Sequence, residues 1–123
     1  MKPTSTKIIF WIPTIMIVLF EGLLPALTFQ TKLATEGIRH LGYPAYFGPM
    51  LMVFKVLGAL TLVLPRAPKL LKEWAYAGFA FDFIAACVSH WVIDGFGADV
   101  IFSFVAMAIL ALSYIYYHKL TAD

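Results

Sequence analysis

From Ile8 to about Phe29 the chain runs apolar with a single charge, Glu21. Three more such runs follow. The second, about Tyr46 to Leu64, holds Lys55; the third, about Trp74 to Val92, holds Asp82; the fourth, about Val100 to Tyr117, holds no charge. Crossing a hydrocarbon core takes roughly 20 apolar residues as a helix. Four crossings use about 80 residues, and a chain of 123 residues leaves little beyond three loops and two ends. The composition agrees: 62% hydrophobic and 13% charged, with a mean hydropathy of +0.86. A soluble domain is nearer half apolar and a quarter charged, and one this small cannot hide so much apolar surface. The runs are continuous, without the strict alternation of barrel strands. A helix satisfies its own backbone in lipid. The expected fold is therefore all-α, one domain over residues 1–123, an antiparallel bundle of four transmembrane helices.

The same numbers exclude other classes. A disulfide scaffold is impossible with Cys87 alone, and a net charge of +2 gives no nucleic-acid footprint. A separate soluble catalytic domain has no room. Any chemistry must lie in the bundle or its loops.

Breaks fall at Gly42-Tyr43-Pro44, at Pro65-Arg66-Ala67-Pro68 and at Asp94-Gly95-Phe96-Gly97. The longest connection, Gln30 to Ala45, includes a polar-apolar stretch, Leu33 to Leu41, that reads as an interfacial helix. Lys2, Lys7, Arg66, Lys69, Lys72 and Lys119 fall on one side of the spans, and Lys32 and Arg39 on the other. The excess predicts both termini in the cytoplasm, in a multi-pass protein of a bacterial cytoplasmic (inner) membrane. Glu21, two prolines and its length mark the first run as a retained span rather than a cleaved signal. Tyr43, Tyr46, Trp74, Tyr76, Trp91, Tyr116 and Tyr117 sit near span ends and read as an interfacial aromatic belt.

Eight of the nine lysines and arginines sit in loops and tails. Lys55 does not, and neither do Glu21 and Asp82. A charge at mid-membrane costs at least about 2.5 kcal/mol on insertion scales. At 1.5 Å rise per residue, each lies roughly 12–15 Å from the outer end of its span. One common level lets Glu21, Lys55 and Asp82 pair, which keeps charges in lipid at least cost. Two carboxylates against one ammonium leave a negative charge over. Either one acid carries a proton, or an external cation or donor completes the site. Such a network has two readings: a ligand or proton site, or a device that fixes helix register.

His90 continues the line Trp74, Gly78, Asp82, Ala86, His90, and Ser89 lies seven residues from Asp82. Helical spacing puts both near the face of Asp82, which predicts a polar cleft opening to the outer side. An interfacial role for His90 is the alternative. Pro25 offers no N–H to the carbonyl of Glu21, and Pro13 none to that of Ile9, so the first span should be disturbed at both places. Ala75, Ala77, Gly78, Ala80, Ala85 and Ala86 suit close helix approach in the third span. Cys87, without a second cysteine, reads as a small packing residue. No metal site is expected, since one histidine and two distant acids lack a ligand-pair spacing.

Leu41-Gly42-Tyr43-Pro44, Lys55-Val56-Leu57-Gly58-Ala59, the run Leu71-Lys72-Glu73-Trp74-Ala75-Tyr76-Ala77-Gly78-Phe79-Ala80-Phe81-Asp82, and Ser89-His90 resemble the DoxX-like family of small membrane proteins. The segment from Trp74 to Asp82 is its most specific part. The resemblance implies a four-helix membrane bundle with Lys55, Asp82 and His90 at the characteristic polar positions, and Glu21 matching less firmly. Wider relatives include a quinone-reducing thiosulfate oxidoreductase subunit, redox-stress membrane complexes and a chaperone for receptor assembly. Their roles differ too much for membership to fix function.

Three functions compete. The favoured one is a binding or accessory module, its polar site (Glu21, Lys55, Asp82, Ser89, His90) holding the head of a lipid, quinone or similar amphiphile, or serving a membrane complex or homo-oligomer. The second is a membrane enzyme, using acid and base or quinone-linked chemistry on a hydrophobic substrate. No flavin, haem or iron–sulfur motif is evident, so redox chemistry would need a partner. The third is a proton or ion carrier.

Overall fold

The computed structural model describes residues 3–64 and 66–121, so Lys2 and Pro65, used above for orientation and for a break, lie outside the described residues. Among the described residues there is no strand. The first span is one rod, Thr4–Thr28, built of α1 (Thr4–Ile17), a π-helical segment π1 (Val18–Leu23) and α2 (Leu24–Thr28). Then come α3 (Lys32–His40), α4 (Phe47–Val63), α5 (Lys69–Asp94) and α6 (Ala98–Thr121). The expected elements are all present. The third span starts five residues earlier than expected, at Lys69 rather than Trp74. Lys69 and Lys72, expected in a loop, are helical.

Local chemistry sets the ends. Thr31 caps α3 by accepting from Ala34 N–H at 3.3 Å. Its last turn closes on Gly42, at φ +92°. Gly95, at φ +78°, stops α5, a conformation that favours glycine. Pro25 removes a backbone donor, and the ladder before it widens: Leu24 N–H bonds to Leu19 O, five residues back. The disturbance expected at Glu21 is thus a six-residue π segment that contains it.

α1 packs on α6, α6 on α5, α5 on α4, and α4 on π1 and α2. The core is Phe10, Ile17, Ala59, Leu62, Tyr76, Phe79, Phe83, Leu110 and Tyr117. Outward-facing residues are also apolar, among them Ile12, Phe20, Leu27, Phe54, Phe81 and Phe102. Helices apolar all round belong in lipid. The rod Thr4–Thr28, α5 and α6 are long and apolar enough to cross a membrane; α4, at 17 residues, is shorter but also apolar.

The aromatic belt is partly corrected. Trp74, Tyr46 and Trp91 are exposed as expected, but Tyr76 and Tyr117 are 4% and 6% exposed and belong to the core. Tyr76 can be buried because its hydroxyl has a partner inside. Tyr76 OH shares a hydrogen bond with Ser113 Oγ at 2.7 Å, Ser113 Oγ one with Thr14 Oγ1 at 2.6 Å, and Thr14 donates to Phe10 O at 2.7 Å. Tyr117 packs against Phe10 and Tyr76. Lys72 is buried too. Its ammonium donates to Thr61 O at 3.0 Å and Leu62 O at 3.1 Å, capping the end of α4 where the helix dipole favours a cation. Cys87 is buried, as a packing residue should be.

Candidate functional site

Lys55 sits between two notches. On one side a methyl at Gly22 would lie 2.6 Å from Ala59 Cβ, and on the other a methyl at Gly58 would lie 3.0 Å from Phe79 Cε2. Ala59 is four residues from Lys55 and Gly58 three, so both share its face. The first notch draws in the segment that carries Glu21. The second draws in α5 three residues before Asp82. The missing side chains of two glycines therefore bring three helices together around one ammonium.

The predicted triad is assembled. Lys55 Nζ lies 3.4 Å from Glu21 Oε1 and 3.6 Å from Asp82 Oδ2, with the three side chains 18–22% exposed. Charge-assisted hydrogen bonds run about 2.7–2.9 Å. These contacts are longer, so the carboxylates hold the ammonium without saturating its donors. Its neighbours are chosen by geometry more than by tight bonding.

Three clefts open on these charges. One, about 320 Å³, runs under α3 from Lys55 past Met52, Pro25 and Tyr43 to Arg39. A second, about 500 Å³, lies between α4 and α5 and is lined by Lys55, Asp82, Phe54, Trp74 and Gly78. The third, about 550 Å³, lies between the first span and α6 and reaches Glu21, His90, Asp99 and Ser103.

The expected single polar stripe on α5 is therefore divided. Trp74, Gly78 and Asp82 line the α4 side, and Ala86 and His90 the α6 side. The reason is angular. Steps of four residues in a 3.6-residue turn advance by about 40° each, so the line winds around the helix. The same groove alters the role expected for the small residues. Gly78 has nothing within reach of an added methyl and lines an open cleft, while the close approaches occur at Gly22 and Gly58.

Ser89 and His90 do not join the triad by contact. Ser89 Oγ is hydrogen-bonded to Tyr43 OH, tying the connection before α4 to α5. His90 Nδ1 faces Asp99 Oδ2 at 3.6 Å and Asp94 Oδ2 at 3.9 Å, and Asp94 Oδ1 meets His40 Nε2 at 2.6 Å. No ligand spacing is expected between His90 and the acids within the spans, but Asp94 lies just beyond the expected end of the third span. His90 and Asp94 stand four apart on one helix face, a spacing present in the sequence.

At the opposite end of α5 a second polar group escaped prediction. Tyr114 OH donates to Glu73 Oε2 at 3.0 Å, and His118 Nε2 lies 2.8 Å from Glu73 Oε1 without hydrogen-bond alignment. Glu73 and Tyr114 line a cleft of about 340 Å³ with Tyr76 and Met107. Glu73 falls just before the expected start of the third span at Trp74, where a charge draws no notice.

A family model matches residues 9–113, and its description is the DoxX-like family. No curated protein and no solved structure matches the chain. The match spans the triad, the three clefts and most of α6.

Proposed function

The chain belongs to the DoxX-like family, and from that premise we propose that it is an integral membrane binding and accessory protein. In this reading the first span, α4, α5 and α6 all cross the bilayer of a bacterial cytoplasmic membrane, with both termini cytoplasmic. Lys55, Glu21 and Asp82 form an intramembrane polar site on the outer half, which holds the head of a lipid, quinone or similar amphiphile.

The observation that carries this reading is the cleft under α3. It has apolar walls, a cation at its floor (Lys55) and another near its mouth (Arg39). Such a shape fits an apolar tail with an acceptor-rich head, whose oxygens take donors from the ammonium and guanidinium. The long Lys55–carboxylate contacts leave donor capacity toward that cleft. The unequal charge count of the triad supports the same assignment, because a buried charge set is retained at a cost in stability.

The test is retention of amphiphile by purified protein. Wild type extracted from membranes and examined by native mass spectrometry should carry a lipid or quinone that survives detergent exchange. Lys55→Met should lose it, while Lys69→Met, at an exposed position on α5, should keep it. Wild type that releases every amphiphile as fast as Lys55→Met would sink the proposal.

A further inference from the structure

The outer ends of α3, α5 and α6 bring two histidines and two aspartates together. His40 closes α3, Asp94 closes α5, His90 stands one turn earlier on α5, and Asp99 lies in the first turn of α6. The link between α5 and α6 is only Gly95 to Gly97, and the positive φ of Gly95 fixes its turn. Asp94 and Asp99 are thus held at a set separation by a short connection.

His90 Nδ1 is the telling atom. It is shielded from solvent and makes no hydrogen bond, although carboxylate oxygens face it at 3.6 and 3.9 Å. A buried ring nitrogen without a partner calls for an explanation, and these separations are too long for hydrogen bonds. They suit another geometry. Ligands at about 2.1 Å around a tetrahedral ion stand roughly 3.4 Å apart along its edges. The His90, Asp94 and Asp99 donor atoms all lie within 4.8 Å of one another. Small side-chain rotations bring them to that spacing, and Asp99 is free to make them, being 63% exposed on its side chain.

We propose that His90, Asp94 and Asp99 form a binding site for a divalent transition-metal cation of zinc size at the mouth of the third cleft. One imidazole and two carboxylates suit such an ion better than calcium, which takes only oxygen. His40 is a positioning residue. Its contact to Asp94 Oδ1 leaves Oδ2 turned toward His90, the outer hydrogen bond by which metal-ligating carboxylates are oriented. None of its three ligands lines the cleft under α3, which holds the proposed amphiphile site.

The experiment uses the full chain in nanodiscs, stripped with chelator and dialysed. Zn²⁺ is titrated by calorimetry, and Co²⁺ by its visible absorption. The expected result is one saturable ion per chain, with the strong visible bands that low-coordinate Co²⁺ gives. Asp99→Asn should weaken binding about 100-fold, and His40→Gln about tenfold, in the range seen for second-sphere partners. Asp99→Asn alters an exposed side chain, so it decides the matter even if His90→Gln fails to fold. Zn²⁺ affinity unchanged in Asp99→Asn, or no saturable binding by wild type, would overturn the proposal. Co²⁺ spectra unaltered by His40→Gln, with affinity also unaltered, would overturn the positioning role.

Discussion

Gly22 and Ala59 meet so closely that a methyl on the glycine would stand 2.6 Å from the alanine Cβ. The contact lies beside Glu21 in sequence and one helical turn beyond Lys55. It therefore sets the distance between a carboxylate and its ammonium. Gly22→Ala should destabilise the protein by about 1–3 kcal/mol, the usual cost of overpacking, and Ala59→Gly should restore much of the loss. Thermal unfolding of both single variants and the double variant in one detergent measures the rescue. Equal loss in the single and double variants would remove the argument.

The charges themselves follow a different rule. Lys55→Met leaves Glu21 and Asp82 facing one another without a cation. Removing one partner of a buried pair costs about 3–5 kcal/mol. The triple variant Glu21→Gln, Lys55→Met, Asp82→Asn should regain stability over Lys55→Met alone, because no charge is left unpaired. Denaturation in mixed micelles compares them. A triple variant less stable than the single one would mean that the two carboxyl groups stabilise the bundle through contacts other than the ammonium.

How far this site could be read in advance depends on contrast. Glu21, Lys55 and Asp82 stood out because each is the lone charge in an apolar run, and one level of depth was enough to pair them. Lys72 did not stand out, because it lies among loop-like charges. Only the approach of the α4 end shows that it is buried. Tyr76 looks like a belt residue until Ser113 supplies the inward partner, and Tyr117 until Phe10 and Tyr76 pack on its ring. The π segment was legible only as a disturbance at Pro25. Its form depends on how the ladder relaxes, which a single proline does not specify.

The Thr14–Ser113–Tyr76 chain of hydroxyls gives a third prediction. Membrane hydrogen bonds average about 0.6 kcal/mol and reach about 1.7. Thr14→Val and Ser113→Ala should each cost an amount in that range. Ser113 contacts both other hydroxyls, so its substitution should cost more than Thr14→Val. A double-mutant cycle should show coupling between Thr14 and Ser113. Strict additivity would mean that the contacts are incidental.

Lys72 caps the α4 carbonyls of Thr61 and Leu62. Lys72→Met keeps the apolar stem and removes the donors. We expect a loss of about 1–3 kcal/mol from the unsatisfied acceptors. Amide exchange should rise in the last turn of α4 before it rises in α6. Uniform exchange along the chain would speak against a local cap.

The proposed orientation can be checked with single cysteines in a Cys87→Ala background. Lys119→Cys should react with an impermeant maleimide only from the cytoplasmic face, and Phe96→Cys only from the outer face. The reverse pattern would invert the topology and place the Lys55 site on the cytoplasmic half.

α4 is the short member of the set, 17 residues beside the 26 of α5. At 1.5 Å per residue these are about 25 and 39 Å, against a hydrocarbon core of about 30 Å. When α4 crosses as proposed, acyl chains beside it must shorten or tilt, and the sheet of headgroups dips on that flank. The dip falls on the helix that carries Lys55. An amphiphile reaching the ammonium would then travel less far from the headgroup layer than mid-span position suggests, and the bilayer itself would act as the ramp.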